Sequence, residues 1–329
     1  DGDNWGIYAQ RYDADGITIG NEFQVNTYST GRQLYPSVSS LDDGGFLITW
    51  EGDGQDGEGG SDIYAQRYKA DGTTYGSEFQ VNTNTSGKET HPSVSSLADG
   101  GFLISWKSDN GSAKGIAAQR YKSDGSPNGG EFQVNTNTTY GKQTPSVSSL
   151  ADGGFLISWW AERSPQGIFA QRYNFDGTTN GSEFQVNTHS GGGSYRQYQP
   201  SVSSLDDGGF LISWTSENQD GSNKGIFAQR YNADGSTNGE EFQVNTYTTN
   251  HQHWPSASSL DDGGFLVSWA SVGQEGLAAH HEGIYAQRYN AGGNQLQVAS
   301  DTLHGGDGVD TLDGGGGADS MVGGSGDNQ

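Results

Sequence analysis

The sequence contains no cysteine, which excludes disulfides and thiolate-held metals alike. Methionine occurs once and proline seven times. No apolar run approaches the ~18 residues a membrane-spanning helix requires, so no transmembrane segment is expected. Cations are scarce too: 16 Lys and Arg stand against 40 Asp and Glu, a formal charge of −24. A surplus of that sign repels phosphate backbones and anionic membranes, so nucleic acid is not an expected partner. It suits a chain kept soluble by self-repulsion, or one that collects hard cations. The chain begins at Asp1 without a leader-like segment and is read as a mature form or an excerpt.

What is abundant is glycine, 54 of 329 residues, beside 11% aromatics. That combination fits neither a helical bundle nor a disordered chain. The arrangement is repetitive. The stretch PSVSSLDDGGFLITW at 36–50 returns at Pro92, Pro145, Pro200 and Pro255, each copy closing on a tryptophan: Trp50, Trp106, Trp159, Trp214 and Trp269. AQRY occurs six times and FQVNT five. A period of this length marks an array of one supersecondary unit.

Within a unit, four short runs are bounded by Gly, Pro, Asn or Asp, the mark of strands joined by tight turns. They are A (PSVSSL), B (GFLISW), C (IYAQRY) and D (EFQVNT). The A–B and C–D links have hairpin lengths, so each unit is a four-stranded antiparallel meander. The predicted fold is an all-β propeller of five blades, with six as the alternative. The blades are the units 36–83, 92–136, 145–188, 200–246 and 255–300, preceded by a leading hairpin over 5–27; residues 1–300 form the propeller and 301–329 a separate tail. The five tryptophans read as core. The arginines of AQRY (Arg11, Arg67, Arg120, Arg172, Arg230 and Arg288) read as structural partners of acidic residues.

The two ends of such a blade differ in chemistry. The A–B and C–D turns carry a ring of aspartates, Asp43, Asp99, Asp152, Asp207 and Asp262, read as turn formers with calcium as the alternative. The B–C and D–A loops vary from unit to unit, as loops carrying function on a rigid scaffold do. A basic or imidazole residue precedes the repeat proline in every unit: Arg32, Lys88, Lys142, Arg196 and His251. Tyr35, His91, Tyr198 and Trp254 stand close by. An aromatic face beside a basic donor is what saccharide recognition needs, so these nine residues are the expected ligand site. Two loops break the symmetry, one with Trp160, Glu162 and Arg163, the other with His280, His281 and Glu282.

After Ser300 the composition changes to GGDGVDTLD at 305–313 and GGGGADSMV at 314–322, followed by GGSGDNQ. The first two fit the nonapeptide G-G-x-G-x-D-x-U-x. Here the chain resembles the RTX family of hemolysin-type calcium-binding repeats. The resemblance implies a parallel β-roll whose turns bind Ca²⁺ through Gly305, Asp307, Asp310, Gly314, Gly316 and Asp319, with Asn328 where the third repeat would place an aspartate. It also implies type I secretion and calcium-triggered folding outside the cell, and the upstream units are similar to repeats of large secreted or surface-associated bacterial proteins of that kind. On this reading the protein is an extracellular, cell-surface-associated binding or adhesion module, not an enzyme. It would recognise a polysaccharide or cell-surface glycan multivalently. The alternatives are a self-associating building block of a surface layer or filament, and a polysaccharide-degrading enzyme.

Overall fold

The computed structural model describes residues 5–57, 59–110, 113–139, 141–162, 166–189, 196–274 and 282–296, together with the backbone of 302–304 and 320–322. Every regular element is a strand. A leading hairpin of β1 (Tyr8–Tyr12) and β2 (Thr18–Gln24) precedes the first blade, β3 (Gln33–Ser40), β4 (Phe46–Asp53), β5 (Ser61–Tyr68) and β6 (Phe79–Gln80). The second blade holds β7 (Glu89–Ser96), β8 (Phe102–Asn110), β9 (Ala113–Tyr121) and β10 (Phe132–Gln133), and the third β11 (Lys142–Ser149), β12 (Phe155–Ala161), β13 (Gly167–Tyr173) and β14 (Thr179–Gln185). The fourth holds β15 (Gln197–Ser204), β16 (Phe210–Glu217), β17 (Lys224–Tyr231) and β18 (Phe242–Gln243). The fifth has β19 (Gln252–Ser259), β20 (Phe265–Val272) and β21 (Glu282–Tyr289), and its last run continues beyond the described residues. Each blade is an antiparallel meander in chain order, and together they make a five-bladed β-propeller.

The first strands of successive blades touch one another, β3 to β7, β7 to β11, β11 to β15 and β15 to β19, so these strands line the axis. The repeated serines explain how. The Ser37 hydroxyl accepts the Val94 N–H at 3.2 Å and Ser39 accepts Ser96 N–H at 3.0 Å; Ser93 and Ser95 repeat this toward the third blade. The small side chains let neighbouring backbones approach, and each hydroxyl satisfies a main-chain donor that an edge strand would otherwise leave open.

Between blades the core repeats as well. Trp50, Trp106, Trp159 and Trp214 are fully buried and Trp269 nearly so, as expected for core residues. In every blade the phenylalanine opening strand B stacks on the tyrosine closing strand C; the Phe102 and Tyr121 rings lie 4.8 Å apart. The DGG turn is sterically fixed: Gly44 takes φ +80°, and a Cβ on Gly45 would run into the Tyr68 carbonyl. Asp43 closes that turn by accepting the Gly45 N–H at 2.9 Å, and its other oxygen meets Arg67 Nη2 at 2.7 Å. The aspartate ring is thus turn and ion-pair chemistry, and the AQRY arginines are structural. Among the described residues no three or more His, Asp or Glu side chains converge as a metal site.

The first strand begins three residues before its proline, at Gln33 rather than Pro36. A bulge intervenes in every blade, between Leu34 and Ser37 in the first. In the tail, β22 (Thr302–His304) pairs in parallel with β23 (Ser320–Val322), Thr302 opposite Ser320. That offset of two nonapeptides is the repeat of a parallel roll. The tail residues expected to hold calcium, Gly305, Asp307, Asp310, Gly314, Gly316, Asp319 and Asn328, lie outside the described residues.

Candidate functional site

The bulges place one residue of each unit in an uncommon conformation. Tyr35, His91, Thr144, Gln199 and Trp254, each directly before the repeat proline, adopt φ between +42° and +54°. Non-glycine residues rarely hold such angles, and a set of them marks strain retained for a purpose. Because the five strands carrying them are packed side by side, the five side chains gather at one end of the axis. The same end receives the B–C loops.

Two neighbouring pairs among these positions make direct contact. The Tyr35 ring stacks on the His91 imidazole at 4.1 Å. The Gln199 carbonyl accepts from Thr215 Oγ1 and from the Trp254 N–H, both at 3.3 Å, and Trp254 stacks on His253. Between them, Trp160 meets Tyr198 edge to face at 4.9 Å, and Lys224 Nζ lies 5.2 Å from the Tyr198 ring. The surface is aromatic and lined by different residues in each sector.

One sector carries a pair of carboxyls. The residue following the strand-B tryptophan is Glu51 in the first blade, and Lys107, Trp160, Thr215 and Ala270 in the others. Glu51 is buried, 5% exposed, and accepts the His91 N–H at 3.3 Å. Burial above all, then the neighbouring Asp53 charge, pushes its carboxyl above the usual range; the His91 N–H and Arg32 oppose this. Asp53, two residues along the same face, accepts Arg32 Nε at 2.9 Å and the Ser61 hydroxyl at 2.7 Å. Two neighbouring carboxyls therefore sit in environments of opposite kind, one desolvated and one ion-paired. A cavity of about 350 Å³ opens beside Asp53, lined among others by Tyr28, Arg32, Ser61 and Lys88.

Of the nine residues expected to bind ligand, the structure thus brings Arg32 and Lys88 to one cavity and stacks Tyr35 on His91. Tyr198 and Trp254 lie at the bulges of the fourth and fifth blades. The main-chain carbonyls of Arg32, Lys88, Arg196 and His251 occupy equivalent positions, each accepting an N–H from the end of strand B. In the third blade that place belongs to Gly141, and Lys142 falls one residue further on, only 3% exposed. Burial pushes the Lys142 ammonium pKa down, against the pull of Glu183 and Glu162. Of the symmetry-breaking residues, Glu162 accepts from Gln143 and Glu282 lies 3.5 Å from His253 Nε2. Arg163, His280 and His281 lie outside the described residues. The sequence reading passed over Glu51 and Asp53. The signal for Glu51 was present in the aligned units, since the position after the tryptophan is acidic only once; the Asp53 position gave none, since Asp109, Glu162 and Glu217 share it.

Comparison with solved structures finds the same fold. An α-L-arabinanase of Penicillium chrysogenum complexed with arabinobiose matches with a TM-score of 0.55 at 17% identity, over 82% of this chain and 81% of that one. The α-L-arabinofuranosidase Arb93A of Fusarium graminearum matches with a TM-score of 0.55 at 15% identity, over 78% and 82%. Its arabinobiose complex gives 0.53 at 14%, over 77% and 80%. No curated protein matches the sequence. The expectation of a non-enzymatic, multivalent adhesion module is corrected here. The units do not present five equal sites but bring unlike residues to one end of the axis, and the propellers of matching shape are saccharide-cleaving enzymes by name. Residues 299–329 match the family of RTX calcium-binding nonapeptide repeats, a family described by four copies of the repeat, in agreement with the glycine-aspartate pattern of this stretch.

Proposed function

We propose that this propeller hydrolyses an extracellular polysaccharide, with Glu51 as general acid. The observation that carries this reading is the Glu51–Asp53 pair, one carboxyl buried and the other ion-paired with Arg32, since unlike environments are how an acid and a base come to coexist in one site. Glu51, its carboxyl raised above the usual range by burial, would give its proton to the glycosidic oxygen as the bond from that oxygen to the anomeric carbon breaks. Asp53, paired with Arg32, would take a proton from the water that attacks that carbon. Tyr35 and His91 offer a stacked platform for sugar faces, and Arg32 and Lys88 offer donors to hydroxyls.

The arabinose-based ligands named for the matching propellers make arabinan the first substrate to try. Export by a type I route and Ca²⁺ binding by Asp310 and Asp319 belong to the same proposal and fit the RTX repeat match, which suits a secreted protein. Purified protein with Ca²⁺ is incubated with a polysaccharide panel headed by arabinan, and new reducing ends are counted. Release should occur on at least one polymer and fall by 10² or more in Glu51→Gln. Silence on every polymer, or undiminished release by Glu51→Gln, would sink the assignment.

A further inference from the structure

The five tryptophans of strand B are core residues, none more than 6% exposed; Trp254 is 56% exposed. It stands on β19, the axial strand of the fifth blade, where a bulge between His253 and Ser256 interrupts the pairing. In a regular strand successive side chains point to opposite faces. Trp254 takes φ +54° instead, and its ring stacks on the imidazole of the residue before it, at 4.2 Å with 14° between the planes. The stack is held from two sides. The His253 side chain is 13% exposed, with Nε2 3.5 Å from Glu282 Oε1. The Trp254 N–H donates to the Gln199 amide oxygen at 3.3 Å, which also accepts the Thr215 hydroxyl. An indole fixed by a strained main chain and backed by a second ring, yet open to solvent, is arranged for a ligand rather than for the core.

The surroundings indicate the kind of ligand. Both bonds to the Gln199 amide fall on its oxygen, which leaves the NH2 half to donate elsewhere. Next to Gln199, Tyr198 meets Trp160 edge to face, and Lys224 Nζ lies 5.2 Å from its ring. A main-chain bridge from Lys224 to His251 ties this group to the segment entering β19. Aromatic faces rimmed by an amide and an ammonium donor suit a sugar ring, which has an apolar face and a hydroxylated edge.

We propose that the Trp254–His253 stack is a second saccharide subsite, which holds a unit of the polymer other than the one cleaved at Glu51 and Asp53. This rests on the hydrolase reading above. The residues of the subsite come from the third, fourth and fifth blades, whereas Glu51 and Asp53 belong to the first and Glu51 meets the second through the His91 N–H. The sugar ring lies on the open face of the Trp254 indole, Gln199 and Lys224 donate to its hydroxyls, and Tyr198 with Trp160 forms the wall beside it. Such a subsite makes the protein select chains over single glycosides. Its interactions are made with the bound substrate and the transition state alike, so they act on binding rather than on bond cleavage.

The test measures binding and cleavage separately on the full chain. Glu51→Gln protein, slowed in cleavage, is run by affinity electrophoresis through gels containing arabinan, xylan, pectin or β-glucan. At least one polymer should retard it. Adding Trp254→Ala, at an exposed position outside the core, should weaken the apparent Kd for that polymer tenfold or more, whereas Trp254→Tyr should keep most of the affinity. With Glu51 intact, the loss caused by Trp254→Ala should appear in KM for the same polymer, tenfold or more, and not in kcat. Retardation by no polymer, or equal retardation of the Trp254→Ala protein, overturns the subsite. A fall in kcat with KM unchanged does so too, since Trp254 would then serve the reacting centre. Retardation that depends on Trp254, in a protein that cleaves none of these polymers, upholds the saccharide site and sinks the hydrolase reading alone.

Discussion

The Tyr35 ring lies 4.1 Å from the His91 imidazole with 22° between their planes. Two residues at the same position of neighbouring repeats so form one stack across the seam where Glu51 is buried. Each unit supplies the same bulge and a different side chain, which is how a repetitive scaffold builds a site with no symmetry.

Burial of His91 has a pH signature. With Lys107 nearby adding to the effect, burial pushes the imidazole pKa down to about 4 from its ordinary 6.5. Between those values the unfolded chain binds a proton that the folded protein refuses, so stability falls as pH drops through the window. A shift of that size corresponds to at most about 3 kcal/mol below pH 4. His91→Gln should flatten the acid limb of a Tm profile recorded from pH 4 to 7. An unaltered limb would show that His91 charges freely in the folded state.

Glu89 works in the opposite direction. It begins strand A of the second blade where Gln33, Gln197 and Gln252 stand in others, and it is 1% exposed. Burial pushes its carboxyl up to about 7, although the Ser108 hydroxyl donates to it at 3.2 Å. The unfolded carboxyl ionises near 4.5, so the folded form loses ground as pH rises from there to 7 and beyond. Glu89→Gln should be close to neutral at pH 5 and raise Tm by a few degrees at pH 8, a gain of about 1–2 kcal/mol. Equal effects at both pH values would refute the explanation.

Much of the fold was legible because the strand pattern is written five times. The tryptophans, the DGG turns and the AQRY arginines recur with the repeat, and repetition separates structural residues from incidental ones. The site was less legible for the same reason. Glu51 occurs once, at a position where the other units hold Lys, Trp, Thr and Ala, so a search for recurring residues passes over it. The bulge before each proline was hidden too, since nothing in Tyr, His, Thr, Gln or Trp announces a positive φ. Lys142 stands three residues before its proline where Arg32, Lys88, Arg196 and His251 stand four, which puts it one position along from them.

The repeated Arg–Asp pair should have unequal value along the array. Arg120 joins Asp99 at 3.1 Å and the Phe175 carbonyl at 3.0 Å with its side chain 10% exposed; Arg288 joins Asp262 at 2.5 Å with its side chain 53% exposed. Exposed pairs are screened and contribute little, whereas removing one partner of a buried pair strands the other. Arg120→Leu is expected to cost about 3 kcal/mol and Arg288→Leu under about 1 kcal/mol, read from urea midpoints. Equal losses would mean that burial does not set the energetics of this pair.

The tail provides the test of how the chain is divided. Its aspartates recur every nine residues, Asp310 then Asp319, whereas the propeller carboxylates are held by arginines, main-chain N–H groups and hydroxyls rather than gathered for a cation. A hard cation needs six or more oxygens, and turns stacked in a roll can supply them from carboxylates and carbonyls together. Calcium should therefore act on residues 301–329 and leave residues 5–296 unaffected. Chelation, or Asp310→Ala, should abolish Ca²⁺ uptake measured by calorimetry, while the near-ultraviolet circular dichroism of the buried tryptophans and the main thermal transition stay in place. If either treatment melts the tryptophan signal, the propeller itself depends on the metal, and the division at residue 300 fails.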